Sequence, residues 1–164
     1  GSKPRSIRTF IPAGRVGRSM ADLMDTYLEN RWFVQPNQAN NLGTAHGGNV
    51  LKWMDELGAM CAMRFCGDTC VTAHLDEVNF RRPVPVGGIA LVKAYVYDTG
   101  ETSIRIRTRV FREDPESGDQ ELTTESYMVF VAIDDDRNPI PVPDLTVSSD
   151  EGEKLLEAAL RDES

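Results

Sequence analysis

The chain has 164 residues, 40% of them hydrophobic, and its 26 acidic and 18 basic residues give a formal net charge of -8. That length suits a single domain with a full apolar core, and the acidic balance speaks against nonspecific nucleic-acid binding. No apolar run is long enough to span a membrane and no signal-like hydrophobic segment follows Gly1, so a cytoplasmic protein is expected.

Residues 1–19 read as a basic arm, because Lys3, Arg5, Arg8, Arg15 and Arg18 precede Met20 with no acidic residue among them. Pro4, Pro12, Gly14 and Gly17 oppose regular structure there. The arm is either mobile or a contact for a neighbouring subunit or an anionic ligand. The main domain is expected over 20–145. Its first strand falls at Tyr27 to Val34, which is rich in aromatic and branched residues.

A polar loop then leads into the central element. From Asn49 to Cys66, the residues Val50, Met54, Leu57, Cys61 and Phe65 recur at helical spacing, which predicts a core helix buried on most of its circumference. Lys52, Glu56 and Arg64 share its exposed edge. Asp55 belongs to neither set. Its neighbours along the helix are Leu51, Gly58, Ala59 and Ala62, so the carboxylate sits beside an apolar groove. A carboxylate in such a place is paired, hydrated or used. The helix alone leaves open a helix-edge Asp bonded to a neighbouring loop.

The stretch Asn40-Asn41-Leu42-Gly43-Thr44-Ala45-His46-Gly47-Gly48 is dense in turn formers. Its paired glycines let backbone N–H groups approach a ligand at the helix start, where unpaired donors and the dipole favour an oxyanion. Asp55 lies about 12 Å further along the axis at 1.5 Å per residue. One small reacting group cannot touch both within a single chain, so two subunits must face each other if both serve one bond.

Sheet patterning fills the remainder. A strand is expected over 70–80, with a bulge near Asp76-Glu77 where the alternation of Val71, Ala73 and Leu75 changes phase to Val78 and Phe80. Arg81 to Gly88 is a turn rich in proline and glycine. Strands follow at Ile89 to Tyr97, Thr102 to Arg112 and Leu122 to Ile133, separated by a hairpin at Asp98-Thr99-Gly100-Glu101 and an acidic loop. In the second of these, Ile104, Ile106 and Val110 face one way and Arg105, Arg107 and Arg109 the other, which predicts a solvated face. Residues 146–164 read as a tail with a short helix capped by Ser148 and Glu151. The class is α+β.

Three cysteines, Cys61, Cys66 and Cys70, and two histidines show no paired metal spacing, so no metal site or cofactor is expected and the cysteines read as buried thiols. His46 abuts the helix start, where the dipole disfavours its protonated form, so a turn or gate role is preferred to that of a base. There is no G-x-S-x-G elbow.

These residues carry a family resemblance. Gln35-Pro36 through Asn40, Gly43, His46-Gly47-Gly48, Lys52-Trp53-Met54-Asp55-Glu56, Val78-Asn79-Phe80 and Pro83 together resemble the hotdog-fold acyl-CoA thioesterases of the cytosolic acyl-CoA hydrolase and YciA-like type. The resemblance runs from about Tyr27 to Leu145. It implies a long helix wrapped by a five- to six-stranded antiparallel sheet, homodimers grouped into hexamers, and thioester hydrolysis at the subunit interface. Asn40 from one protomer and Asp55 from the other would be catalytic, with His46, Gly47 and Gly48 at the oxyanion end and Leu51, Gly58, Ala59 and Ala62 along the acyl groove. Asp55 would act as general base or as nucleophile, and the sequence leaves both open. The resemblance also places coenzyme A near Asn79 and Phe80 and its nucleotide near Thr102 and Ser103. Arg81 and Arg82, on a turn, suit its phosphates. A hotdog-fold enoyl-CoA hydratase and a noncatalytic acyl-CoA-binding assembly protein are the alternatives.

Overall fold

The computed structural model of the protein describes residues 20–163. The arm at 1–19 lies outside the described residues. Helix α2 (Gly47–Cys66) is the organising element, and strands β2 (Leu28–Phe33), β5 (Ile89–Thr99), β6 (Ser103–Glu113), β7 (Gln120–Ile133) and β3 (Thr69–Leu75) lie in that order beside one another, all antiparallel. Short strand β4 (Asn79–Phe80) also pairs with β7, completing a six-stranded sheet.

Alternation along the strands decides what meets the helix. Ala90, Val92, Ala94 and Val96 of β5, Ile104, Ile106 and Val110 of β6, and Met128, Phe130 and Ala132 of β7 form one core with Val50, Trp53, Met54, Leu57, Cys61 and Phe65 of α2. Each such side chain taken fully out of water stabilises by roughly 1.5–3 kcal/mol for the larger ones. Gly58 permits the close approach, because a Cβ there would stand 3.1 Å from the Phe130 ring and 3.5 Å from the Met128 sulfur. The helix ends at Gly67, whose φ of 73° is left-handed and whose N–H bonds to the Met63 carbonyl at 2.7 Å.

Several expectations are corrected. Lys52, Glu56 and Arg64 are exposed as expected, but helix α2 is less enclosed than its periodicity suggests, since Met60 and Met63 are exposed too and Asp55 and Ala59 only half-buried. In β3 the register shifts between Thr72 and His74, making Ala73 the extra residue. The bulge therefore precedes Asp76-Glu77, where the chain instead leaves the ladder, tied by the Asp76 N–H to the Tyr127 carbonyl at 2.9 Å.

The arginine row is not a solvated face. Helix α3 (Asp150–Glu163) lies across it, so the C-terminal segment is part of the fold. Arg107 is 4% exposed and bonds to Glu125, Asp162 and the Tyr95 hydroxyl. The Ser148 N–H is taken by Asp22, and the helix is capped one residue later, by Ser149 Oγ accepting from the Gly152 N–H at 3.0 Å. The parallel pair β1 (Met20–Asp22) and β8 (Asp144–Thr146), with the one-turn helix α1 (Leu23–Thr26) between β1 and β2, were too short to carry a sequence pattern.

Candidate active site

The loop before α2 is held on both sides. The Ala45 N–H bonds to the Val84 carbonyl and the Val86 N–H to the Gly43 carbonyl, while the His46 N–H and Asn49 Nδ2 both reach the Gln38 carbonyl. Within this frame Asn40 Oδ1 accepts from the Leu42 N–H at 2.9 Å, the Thr44 N–H at 3.2 Å and the Thr44 hydroxyl at 3.2 Å. Backbone N–H groups can only donate, so the atom on which they converge is the oxygen. The Asn40 NH2 is left as a donor with no acceptor among the described residues.

At the helix start, the His46 carbonyl accepts from Asn49 and Val50, while the N–H groups of Gly47 and Gly48 have no acceptor among the described residues. The exposed Phe80 ring lies across this end, 3.7 Å from where a Cβ on Gly47 would stand. The His46 side chain makes no capping bond.

Asp55 sits on the half-open side of α2, and Thr72 of β3 donates its hydroxyl to Asp55 Oδ1 at 2.6 Å. Thr72 was missed in the sequence, where it is one of several threonines on strands. The expected groove divides. Leu51 and Ala59 remain partly open beside Asp55, but Gly58 and Ala62 are buried, closed off by the sheet.

The expected coenzyme A contacts also divide. Arg81 pairs with Glu125 at 3.5 Å and Arg82 with Glu121 at 3.1 Å, both arginines more than half exposed. Asn79 stands opposite Glu125 of β7 and Ser103 opposite Val131. Those positions are about 20 Å apart along a strand, so one protomer does not bring the Asn79 to Arg82 group and the Thr102-Ser103 pair together. Among the described residues no His, Cys, Asp and Glu cluster could hold a metal ion, and no helix is long and apolar enough to cross a membrane.

A long helix wrapped by an antiparallel sheet, with unpaired N–H donors at its start and a carboxylate on its open side, defines a hotdog-fold domain. Comparison with known proteins agrees. The model of the thioesterase superfamily matches residues 42–118. The uncharacterized acyl-CoA thioester hydrolase YkhA of Bacillus subtilis is 30% identical over 128 residues, 78% of this chain and 74% of that protein. A crystal structure of a hexameric acyl-CoA thioesterase superposes with a TM-score of 0.80 at 32% identity, covering 88% of this chain and 93% of that one. The acyl-CoA hydrolase of Staphylococcus aureus, seen with butyryl coenzyme A, coenzyme A and coenzyme A disulfide, gives a TM-score of 0.80 at 28% identity over 87% of each chain. Structures of that enzyme include alanine variants of an asparagine, an aspartate and a threonine, at successive intervals of 15 and 17 positions. The chain belongs to the thioesterase superfamily, among its hotdog-fold acyl-CoA thioesterases.

Proposed function

We propose that the protein hydrolyses the thioester of acyl-CoA to a free fatty acid and coenzyme A, at a centre completed by two protomers. Asp55 of one protomer activates water as general base or attacks the carbonyl itself, with Thr72 fixing one of its oxygens. Asn40 of the facing protomer donates its NH2 to the thioester carbonyl, and the N–H groups of Gly47 and Gly48 add donors for the charge that develops there. The sulfur departs as a thiolate, a good leaving group with a reference pKa near 8.5.

The observation that carries this reading is the Thr72–Asp55 hydrogen bond of 2.6 Å. Asn40, Asp55 and Thr72 stand 15 and 17 positions apart, the intervals of the three residues replaced in the Staphylococcus aureus enzyme. Two protomers are needed because the Asn40 loop is tied to the start of α2, while Asp55 lies about 12 Å along the axis. Leu42 at 80% exposure, Phe80 at 51% and Met60 at 46% are large apolar side chains that a second copy would cover. A homodimer is the minimum unit, and a trimer of dimers accords with the hexameric relative.

Mixing tests the shared centre directly. Asn40→Ala and Asp55→Ala proteins, each inactive alone in thiol release from acyl-CoA, are co-refolded in equal amounts. Random pairing makes half the dimers mixed, each with one complete centre, so about one quarter of wild-type activity returns. No recovery, with mixed dimers verified by mass, would refute the two-protomer arrangement.

A further inference from the structure

We propose that Cys66 and Cys70 are a modification site, forming a reversible intrachain disulfide that fastens the end of α2 to the start of β3, with a low-molecular-weight disulfide as oxidant. Their sulfurs lie 3.2 Å apart and both thiols also approach the Asp68 carbonyl, at 3.6 Å. The left-handed turn at Gly67 produces this convergence by sending the chain back from the last helical residue, Cys66, into the first residues of β3. Cys70 is held in the ladder opposite Ala132. Disulfide bonding needs a closure of about 1.2 Å from this contact. Cys61, fully buried further back on the helix, has no such neighbour among the described residues.

A small oxidant has a way in. Cys70 is only partly buried, and an open cleft of about 750 Å³ lies against the connecting turn, lined by Met63, Gly67, Asp68, Thr69 and Ile133. The Cys70 thiolate attacks one sulfur of R–S–S–R, and the departing R–S⁻ takes up a proton. The Cys66 thiol, losing its proton to solvent, then displaces the second R–S⁻ from the mixed disulfide. The protein loses two electrons and two protons, and the oxidant leaves as two R–SH. The Cys66 hydrogen bond, reinforced by burial, holds the Cys70 thiol well above the ordinary thiol range. Attack by Cys70 is therefore slow at neutral pH, while the same preference for protonation makes its sulfur a poor leaving group and the finished bond resistant to reduction.

The bond would join the two elements that carry Asp55 and Thr72. Closing so short a loop is expected to raise the midpoint of thermal unfolding by about 4 to 8 °C.

The test treats the full chain with glutathione disulfide in mildly alkaline buffer. The expected result is a mass lower by about 2 Da, one of the three cysteines still open to alkylation after unfolding, a Cys66–Cys70 linked peptide, and reversal by dithiothreitol. Cys70→Ser abolishes the bond and Cys61→Ser preserves it. A stable glutathione adduct with Cys66 still alkylatable, or a bond between two chains, overturns the proposal. No substrate enters the experiment, so its outcome is independent of the hydrolytic reading.

Discussion

Thr72 Oγ1 lies 2.6 Å from Asp55 Oδ1, a hydrogen bond across 17 positions of sequence that pins the open side of α2 to β3. It occupies one carboxylate oxygen and leaves the other for the role of base or nucleophile proposed above. A hydrogen bond to a charged group contributes about 1.5–3 kcal/mol. Thr72→Val is therefore expected to lower kcat roughly 10- to 100-fold, and Thr72→Ser to retain most of the rate. Thiol release at saturating acyl-CoA measures both. A wild-type kcat in Thr72→Val would remove this bond from the mechanism.

The orientation of Asn40 separates its two chemistries. Asn40→Asp keeps an acceptor for Leu42 and Thr44 but replaces the donating NH2 with negative charge, where a carbonyl oxygen would gather charge of its own. Loss of one such donor costs about 10²- to 10³-fold in kcat, so Asn40→Asp should fall at least as far as Asn40→Ala. Its circular dichroism should match the parent's because the turn is preserved. Substantial activity in Asn40→Asp would mean that the acceptor matters and the donor does not.

The helical part of this site was legible because periodicity places Asp55 among small and apolar neighbours, and turn chemistry marks the loop from Asn40 to Gly48. Periodicity does not say how far the apolar stripe is enclosed. Gly58 and Ala62 therefore read as groove, although both are buried and the Phe130 ring and Met128 sulfur of the sheet stand directly against Gly58. Thr72 had no signal at all, since its meaning comes from β3 crossing beside α2. Alternation likewise sorted the arginines onto one face of β6. Whether that face is wet depends on a helix that begins 37 residues after the strand ends, and no local pattern carries that information.

Arg107 is where the covered face can be tested. At 4% side-chain exposure it holds Glu125 at 2.8 Å and Asp162 at 2.7 Å. Removing one member of a buried ion pair strands its partner and costs about 3–5 kcal/mol. Arg107→Ala is expected to lower the urea midpoint accordingly with little change in slope. Asp162 is 37% exposed, so Asp162→Asn should cost less than about 1 kcal/mol. Equal losses for the two variants would contradict this division between a buried and a peripheral partner.

Alkaline pH should loosen the same contact. The Tyr97 hydroxyl donates to Glu163 at 2.6 Å and the Tyr127 hydroxyl to the Ala159 carbonyl at 3.1 Å, so both phenols tie α3 to the sheet. Burial pushes the Tyr127 phenol up to about 12, and burial with the Glu163 bond also pushes Tyr97 up. In the unfolded chain a tyrosine ionises near pH 10. A group that keeps its proton more tightly when folded contributes stability that is whole below the unfolded value and is lost as pH rises through the folded one. The urea midpoint should accordingly hold steady, as far as these phenols govern it, up to about pH 10 and decline from there toward about pH 12. Tyrosinate absorbance should grow together with the loss of helical signal, since the phenols ionise as α3 lets go. Tyr127→Phe removes one hydrogen bond and one titrating proton, so its midpoint should start lower and fall less steeply across that window. Full tyrosinate absorbance with the helical signal intact would show that these phenols ionise in place and do not govern the release of α3.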